Sequence, residues 1–224
     1  MTRTADETSP IASLAEVPVV TAVTLAIAMG ALPALSLADS AVAVSQPQAI
    51  VLEWLVAVTV IGSALGVEDL SLSSIGFRRP AWIDLAYLLG TGVAALLIFV
   101  FAGPLVQALG LPVEAGTSGL GELPSLPVAL ASAITTGIVE EVLYRGYAIE
   151  RLLDYSDSAV VAGGLTLIGF TVVHAVAWPL GNLVQVAAVS ALFIAVYIRR
   201  RTLVPVAGAH VLVWVVPVFG AFFG

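Results

Sequence analysis

The 224-residue sequence contains no cysteine and no lysine, and only 10% of its residues are charged. Without cysteine, disulfides, thiolate metal sites and a cysteine nucleophile are excluded. The net charge of −7 excludes a nucleic-acid partner, because nucleic-acid binding needs a basic surface. With 60% hydrophobic residues, the chain has too little polar surface to cover a water-soluble domain. The composition therefore predicts an integral membrane protein that contacts membrane lipids.

The charges that remain are mainly acidic, with fifteen Asp and Glu against eight arginines. An acidic, lysine-free chain is typical of salt-adapted proteins, so the composition indicates a haloarchaeal-like source. A GC-rich codon bias would also remove lysine and is the alternative explanation.

Seven apolar segments are long enough to cross a bilayer, for which a helix needs about 20 residues. Residues 1–10 are polar and are predicted to be disordered, and residues 11–224 form one transmembrane domain. The predicted fold is an all-α, polytopic membrane helix bundle. Its spans run over 14–37, 49–66, 81–109, 126–150, 158–178, 182–198 and 202–222.

Seven of the eight arginines fall in segments that this topology places on one side of the membrane. They are Arg3, Arg78, Arg79, Arg151, Arg199, Arg200 and Arg201. Because positively charged loops stay in the cytoplasm, we expect the N-terminus inside and the C-terminus outside the plasma membrane. A signal peptide cleaved near residues 41–43 is the alternative for the first span, but its acidic flank and long apolar stretch favour a retained helix.

Ionisable residues inside the spans are candidates for function, because a charge near the bilayer centre costs about 2.5–3.5 kcal/mol and must find a partner. Glu141 and Arg145 are four residues apart and share a helix face, as do Glu140 and Tyr144. This spacing lets Arg145 neutralise Glu141 and leaves Glu140 available. The candidate residues are Glu140, Glu141, Arg145, His174 and His210, which include both histidines of the chain.

The predicted depths of these residues agree except at one position. Glu140 follows fourteen uncharged residues, which places it about 21 Å from the outer boundary, and His210 lies about 13 Å from the cytoplasmic one. In a straight helix His174 would lie about 25 Å deep. A shortened or tilted helix, or a bend at Gly163 and Gly164, would bring His174 to the depth of Glu140 and His210.

Three motifs carry a resemblance to a known family. Residues 140–145 have the pattern EExxxR, residues 170–174 have the pattern FxxxH, and His210 follows in the third helix downstream. In these motifs the sequence resembles the CAAX prenyl protease and bacteriocin-processing family of intramembrane proteases, also called Abi or type II CAAX proteases. The resemblance covers about residues 75–215.

The resemblance implies an intramembrane endopeptidase that cleaves membrane-associated protein or peptide substrates from the cytosolic side. Glu140 and His174 would activate the attacking water, and His210 would help to bind the oxyanion. Arg145 would hold Glu141 charged and oriented. Tyr144 and Phe170 would have supporting roles.

One position departs from the family motif. The residue four places after the third-motif histidine is usually Asn or Asp, but here it is Trp214. The only asparagine, Asn182, begins the sixth span on the opposite side of the membrane. This departure favours an alternative, a non-catalytic membrane immunity or scaffold protein with a degenerate site. A proton-relaying transporter is a further alternative, although no inverted repeat supports it.

A zinc-dependent mechanism is also compatible with the residue types. His174, His210 and Glu141 would be the metal ligands, and the second glutamate would act as the base. The short HExxH spacing on one helix that many zinc proteases use is absent. Zinc is therefore an alternative to a purely glutamate-driven mechanism.

Overall fold

The computed structural model describes residues 9, 11–39, 43–114 and 123–224, and their regular secondary structure is entirely helical. Disorder over residues 1–10 was predicted, and all of these except Ser9 lie outside the described part. The all-α fold class is confirmed. The main helices are α1 (Val19–Asp39), α2 (Gln46–Gly66), α3 (Trp82–Ala108), α4 (Leu126–Ser156), α5 (Ala159–His174), α6 (Leu180–Arg200) and α7 (Leu203–Phe223).

Six of these helices are long and apolar enough to span a membrane, and α5 is the shorter exception. The 16 residues of α5 extend about 24 Å, less than the roughly 30 Å of a bilayer core. The sequence predicts a span over 158–178, but helix α5 ends at His174, so the predicted span is too long at its C-terminal end. Large apolar side chains such as Val100, Phe101 and Leu105 of α3 face outward, as lipid contact requires.

Helix α4 passes through the middle of the bundle and changes its winding there. It is α-helical over Leu126–Glu140, π-helical over Glu141–Ile149 and α-helical again over Glu150–Ser156. All nine residues of the π-helical part are buried. π-Helical turns are rare and are often found at functional sites. The span predicted to end at residue 150 thus continues to Ser156.

Two apolar clusters pack against opposite faces of α4. On one face Val142 contacts a cluster with Phe193 of α6 and Ala209 of α7. On the other face Leu143 belongs to a cluster with Val60 of α2. The central helix is therefore enclosed by its neighbours, and polar groups on it are shielded from lipid.

Arginine-bearing segments meet at one end of the bundle, as the topology predicts. Glu150 of α4 pairs with Arg201, and it lies 3.9 Å from Arg78 of the α2–α3 segment. Asp84 of α3 accepts a hydrogen bond from Nε of Arg200 at 2.7 Å. Arg3 lies outside the described residues. The orientation of this end toward the cytoplasm stays a prediction.

Candidate active site

A fully buried ion pair lies in the π-helical part of α4. Nη1 of Arg145 donates to Oε1 of Glu141 at 2.9 Å, and both side chains are completely buried. Nη2 of Arg145 donates to Oγ of Ser190 on α6 at 2.9 Å. The guanidinium carbon also lies 4.4 Å from the ring centroid of Phe170. Arg145 therefore balances the charge of Glu141, as the spacing predicts.

His210 of α7 connects the two glutamates with Trp214. Its Nδ1 atom lies 2.8 Å from Oε1 of Glu141, and its Nε2 atom lies 3.9 Å from Oε2 of Glu140. The indole Nε1 of Trp214 is 3.2 Å from the same Nε2 atom. Because an indole can only donate, His210 Nε2 accepts this bond. The partners thus assign the imidazole proton to Nδ1, which donates to Glu141.

His174 is the last residue of α5 and lies beside Phe170. Its Nδ1 atom is 2.6 Å from the Phe170 carbonyl oxygen, which can only accept, so Nδ1 carries the proton. The Nε2 atom of His174 therefore keeps its lone pair and is suited to accept a proton or a hydrogen bond. The Phe170 ring packs against the rings of Tyr144 and His174, at centroid distances of 4.8 and 4.5 Å.

Two cavities meet at these residues, and His174 and Trp214 line both. The first has a volume of about 260 Å³ and is lined by Arg145 and His210 as well. The second has a volume of about 480 Å³ and is lined by Glu140. Because α4 continues to Ser156 and α5 begins at Ala159, Glu140 and His174 lie at similar distances from the turn between the two helices and so at a similar level. The predicted site residues are thus gathered around one junction.

Glu53 of α2 is a further acidic residue at this junction that the sequence motifs do not indicate. It lines the second cavity together with Glu140 and accepts a hydrogen bond from Oγ1 of Thr136 at 3.4 Å. Thr136 lies one helical turn before Glu140 on α4. The sequence could have indicated Glu53 as a candidate, since it is the sole acidic residue of the span predicted over 49–66.

The zinc alternative requires His174, His210 and Glu141 to converge, and their contacts argue against this. Oε1 of Glu141 already accepts bonds from Arg145 and from the protonated Nδ1 of His210. Within the part of the chain that the structure describes, no three His, Asp or Glu side chains form a group able to hold a metal ion. Oε2 of Glu141 has no hydrogen-bond partner, but His174, His210 and Glu141 as arranged here do not form a zinc site.

The fold and the site define a class: a polytopic helical membrane protein with a buried Glu–Arg–His cluster at the junction of two cavities. The family model described as type II CAAX prenyl endopeptidase Rce1-like matches residues 122–216. This match confirms the resemblance seen in the motifs. No curated protein and no solved structure matches the chain. The matched region contains Glu140, His174 and His210.

Proposed function

We propose that the protein is an intramembrane endopeptidase of the CAAX protease type, in which Glu140 and His174 activate the water. One observation carries the proposal. The carboxylate of Glu140 faces a cavity that is also lined by His174, whose Nε2 atom retains its lone pair. A water molecule between a carboxylate and an imidazole nitrogen has the acceptors that it needs to become a nucleophile.

The two adjacent glutamates have different tasks in this proposal. Glu141 is completely buried and accepts bonds from Arg145 and His210, so its charge is used to hold the site together. Glu140 is 14% exposed, and no arginine pairs with it among residues 9, 11–39, 43–114 and 123–224. Its carboxylate is therefore available to take a proton.

Peptide hydrolysis then proceeds in two steps: water adds to the substrate carbonyl carbon, and the tetrahedral intermediate then collapses. The water oxygen forms a bond to the substrate carbonyl carbon, the carbonyl electron pair moves to its oxygen, and the proton of the water passes to Glu140. On collapse the carbon–nitrogen bond breaks, and the leaving amine takes this proton from Glu140. His174 orients the water through Nε2 during the first step.

The site favours substrates that are associated with the membrane. The first cavity is lined largely by apolar side chains, such as Leu96, Phe99 and Val213, and the helices around it face lipid. An apolar chain next to the scissile bond would fit such a lining. We propose that cleavage occurs toward the cytoplasmic side of the plasma membrane, where the arginine-bearing end would lie.

The proposal is tested by comparing membrane proteomes of host cells that produce wild-type protein, Glu140→Gln or Glu16→Gln. Glu16 is exposed and remote from the site, so the same substitution there is a matched control. We expect a membrane-associated protein to be trimmed near its C-terminus in the wild type and the control, and to stay untrimmed with Glu140→Gln. Identical trimming in all three strains would contradict the proposal and favour a non-catalytic scaffold.

Removal of divalent metal ions is expected to leave the activity unchanged. The reason is that, among the described residues, no three His, Asp or Glu side chains come together as a group able to hold a metal ion. The measurement is the cleavage rate of purified protein before and after dialysis against a chelator, with the metal content determined by mass spectrometry. Loss of activity that zinc alone restores would show that the ligands rearrange to hold a metal.

A further inference from the structure

Trp214 has a specific hydrogen bond in the site, although the family motif has Asn or Asp at its position. It lies one turn after His210 on α7 and donates its indole N–H to Nε2 of that residue at 3.2 Å. The indole also lines both cavities, so one edge of it faces the space where a substrate would lie. The side chain is only partly buried.

This hydrogen bond limits what His210 can do. With its Nδ1 proton directed at Glu141 and its Nε2 lone pair directed at Trp214, His210 has no N–H to offer a substrate oxygen. The expectation that His210 itself binds the oxyanion therefore does not fit this arrangement. Trp214, by contrast, brings an indole N–H to the junction of the cavities beside His210.

We propose that Trp214 is a catalytic residue whose indole N–H stabilises the oxyanion of the tetrahedral intermediate; this rests on the proposed function. As water adds and its proton passes to Glu140, negative charge develops on the substrate oxygen. A charged oxygen is a stronger acceptor than a neutral imidazole nitrogen, so the indole N–H turns from His210 Nε2 to that oxygen. When the intermediate collapses, the electron pair returns to the carbonyl group and the indole returns to His210.

A purely space-filling role for Trp214 is the competing explanation. The indole also packs against the small apolar cluster of Ala129, Ala133 and Val218 between α4 and α7. Two substitutions at Trp214 separate the explanations, because the two explanations predict opposite orders of activity for the two variants. Trp214→Phe keeps an aromatic ring and removes the N–H, whereas Trp214→Asn loses the ring and keeps an N–H donor.

The kinetic experiment uses full-length protein in liposomes and a farnesylated peptide with a CAAX-type C-terminus as the probe. We expect Trp214→Phe to lower kcat about 10²–10³-fold with little change in KM, as removal of one oxyanion donor does. Trp214→Asn should retain clearly more activity than Trp214→Phe. Wild-type kcat in Trp214→Phe, with Glu140→Gln inactive, would overturn this inference and leave the proposed function intact. Full activity of Glu140→Gln would instead overturn the proposed function.

A second measurement needs no substrate. Because the chain has only two histidines, ¹⁵N labelling of histidine gives two imidazole spectra, and a His174→Asn variant assigns them. We expect His210 to carry its proton on Nδ1 in the wild type and in Trp214→Phe, because Glu141 still accepts from Nδ1, and the ¹⁵N shift of Nε2 to change in Trp214→Phe because the indole bond is lost. A wild-type His210 protonated on Nε2 would overturn the inference, since the indole could not then donate to it. Thermal unfolding of both Trp214 variants checks that they fold.

Discussion

Replacement of Glu140 by glutamine is expected to lower the rate of peptide cleavage by about 10²–10⁴-fold, the range that a general base contributes. Glutamine has nearly the same size and keeps hydrogen-bonding capacity, but it cannot take a proton from water. The fold should not depend on this carboxylate, which is 14% exposed and lies 3.9 Å from Nε2 of His210. We therefore expect kcat to fall while the thermal unfolding temperature in detergent stays close to that of the wild type.

The matched control for this prediction is the same substitution at the next residue. Glu141 is fully buried and accepts bonds from Arg145 and His210, so Glu141→Gln leaves a buried guanidinium without its counter-charge. We expect Glu141→Gln to lower stability as well as activity. If Glu140→Gln lost stability while Glu141→Gln kept it, the division of tasks between the two glutamates would be wrong.

Replacement of Arg145 by methionine is expected to lower the free energy of unfolding by about 3–5 kcal/mol, the usual cost of removing one partner of a buried ion pair. Methionine has an unbranched side chain and fills much of the same space without charge. The substitution removes the bonds to Glu141 and Ser190 and the contact with the Phe170 ring. The measurement is thermal or denaturant unfolding of the purified protein in detergent.

A double variant shows whether the loss comes from the unpaired charge. When Arg145→Met is combined with Glu141→Gln, no charge of the pair remains, so part of the lost stability should return. Arg145→Lys is the conservative comparison, since it keeps the charge but has no planar fork to reach Glu141 and Ser190 together. If the double variant were less stable than the sum of the single variants predicts, the pair would not be the main source of the effect.

These two predictions also separate an enzyme from a scaffold. In a scaffold protein with a degenerate site, Glu140→Gln would change nothing and Arg145→Met would still destabilise the bundle. In an endopeptidase, Glu140→Gln alone removes function from a stable protein. The family match supports protease activity for residues 122–216, and the contacts of Glu140 agree with that activity.

Features that depend on local spacing were predictable from the sequence. The apolar lengths define the membrane helices because the bilayer has a fixed thickness. The pair Glu141–Arg145 follows from residues four apart, which share a helix face even where α4 becomes π-helical. The motifs themselves indicated the family.

Features that depend on how the helices meet were not predictable in this way. The sequence leaves the depth of His174 relative to Glu140 open, and the continuation of α4 to Ser156, beside the start of α5, decides it. Glu53 belongs to a helix without a motif, and only the packing of α2 on α4 brings it beside Thr136. His210 and Trp214 are four residues apart and share a face of α7, but the bond from Nδ1 of His210 to Glu141, which orients the imidazole, comes from α4.

The sequence by itself thus determined that this cysteine-free and lysine-free chain is a membrane helix bundle with a rare set of buried ionisable residues. Composition and periodicity are enough to predict this, because a charge in lipid is unfavourable in any membrane helix, whatever its neighbours. Only the tertiary structure decided that His210 adds a second bond to Glu141, that Glu140 lines a cavity, and where the imidazole proton of His210 lies. The bond between His210 and Glu141 joins α7 to α4, and residues so far apart in the chain carry no local signal of such a contact.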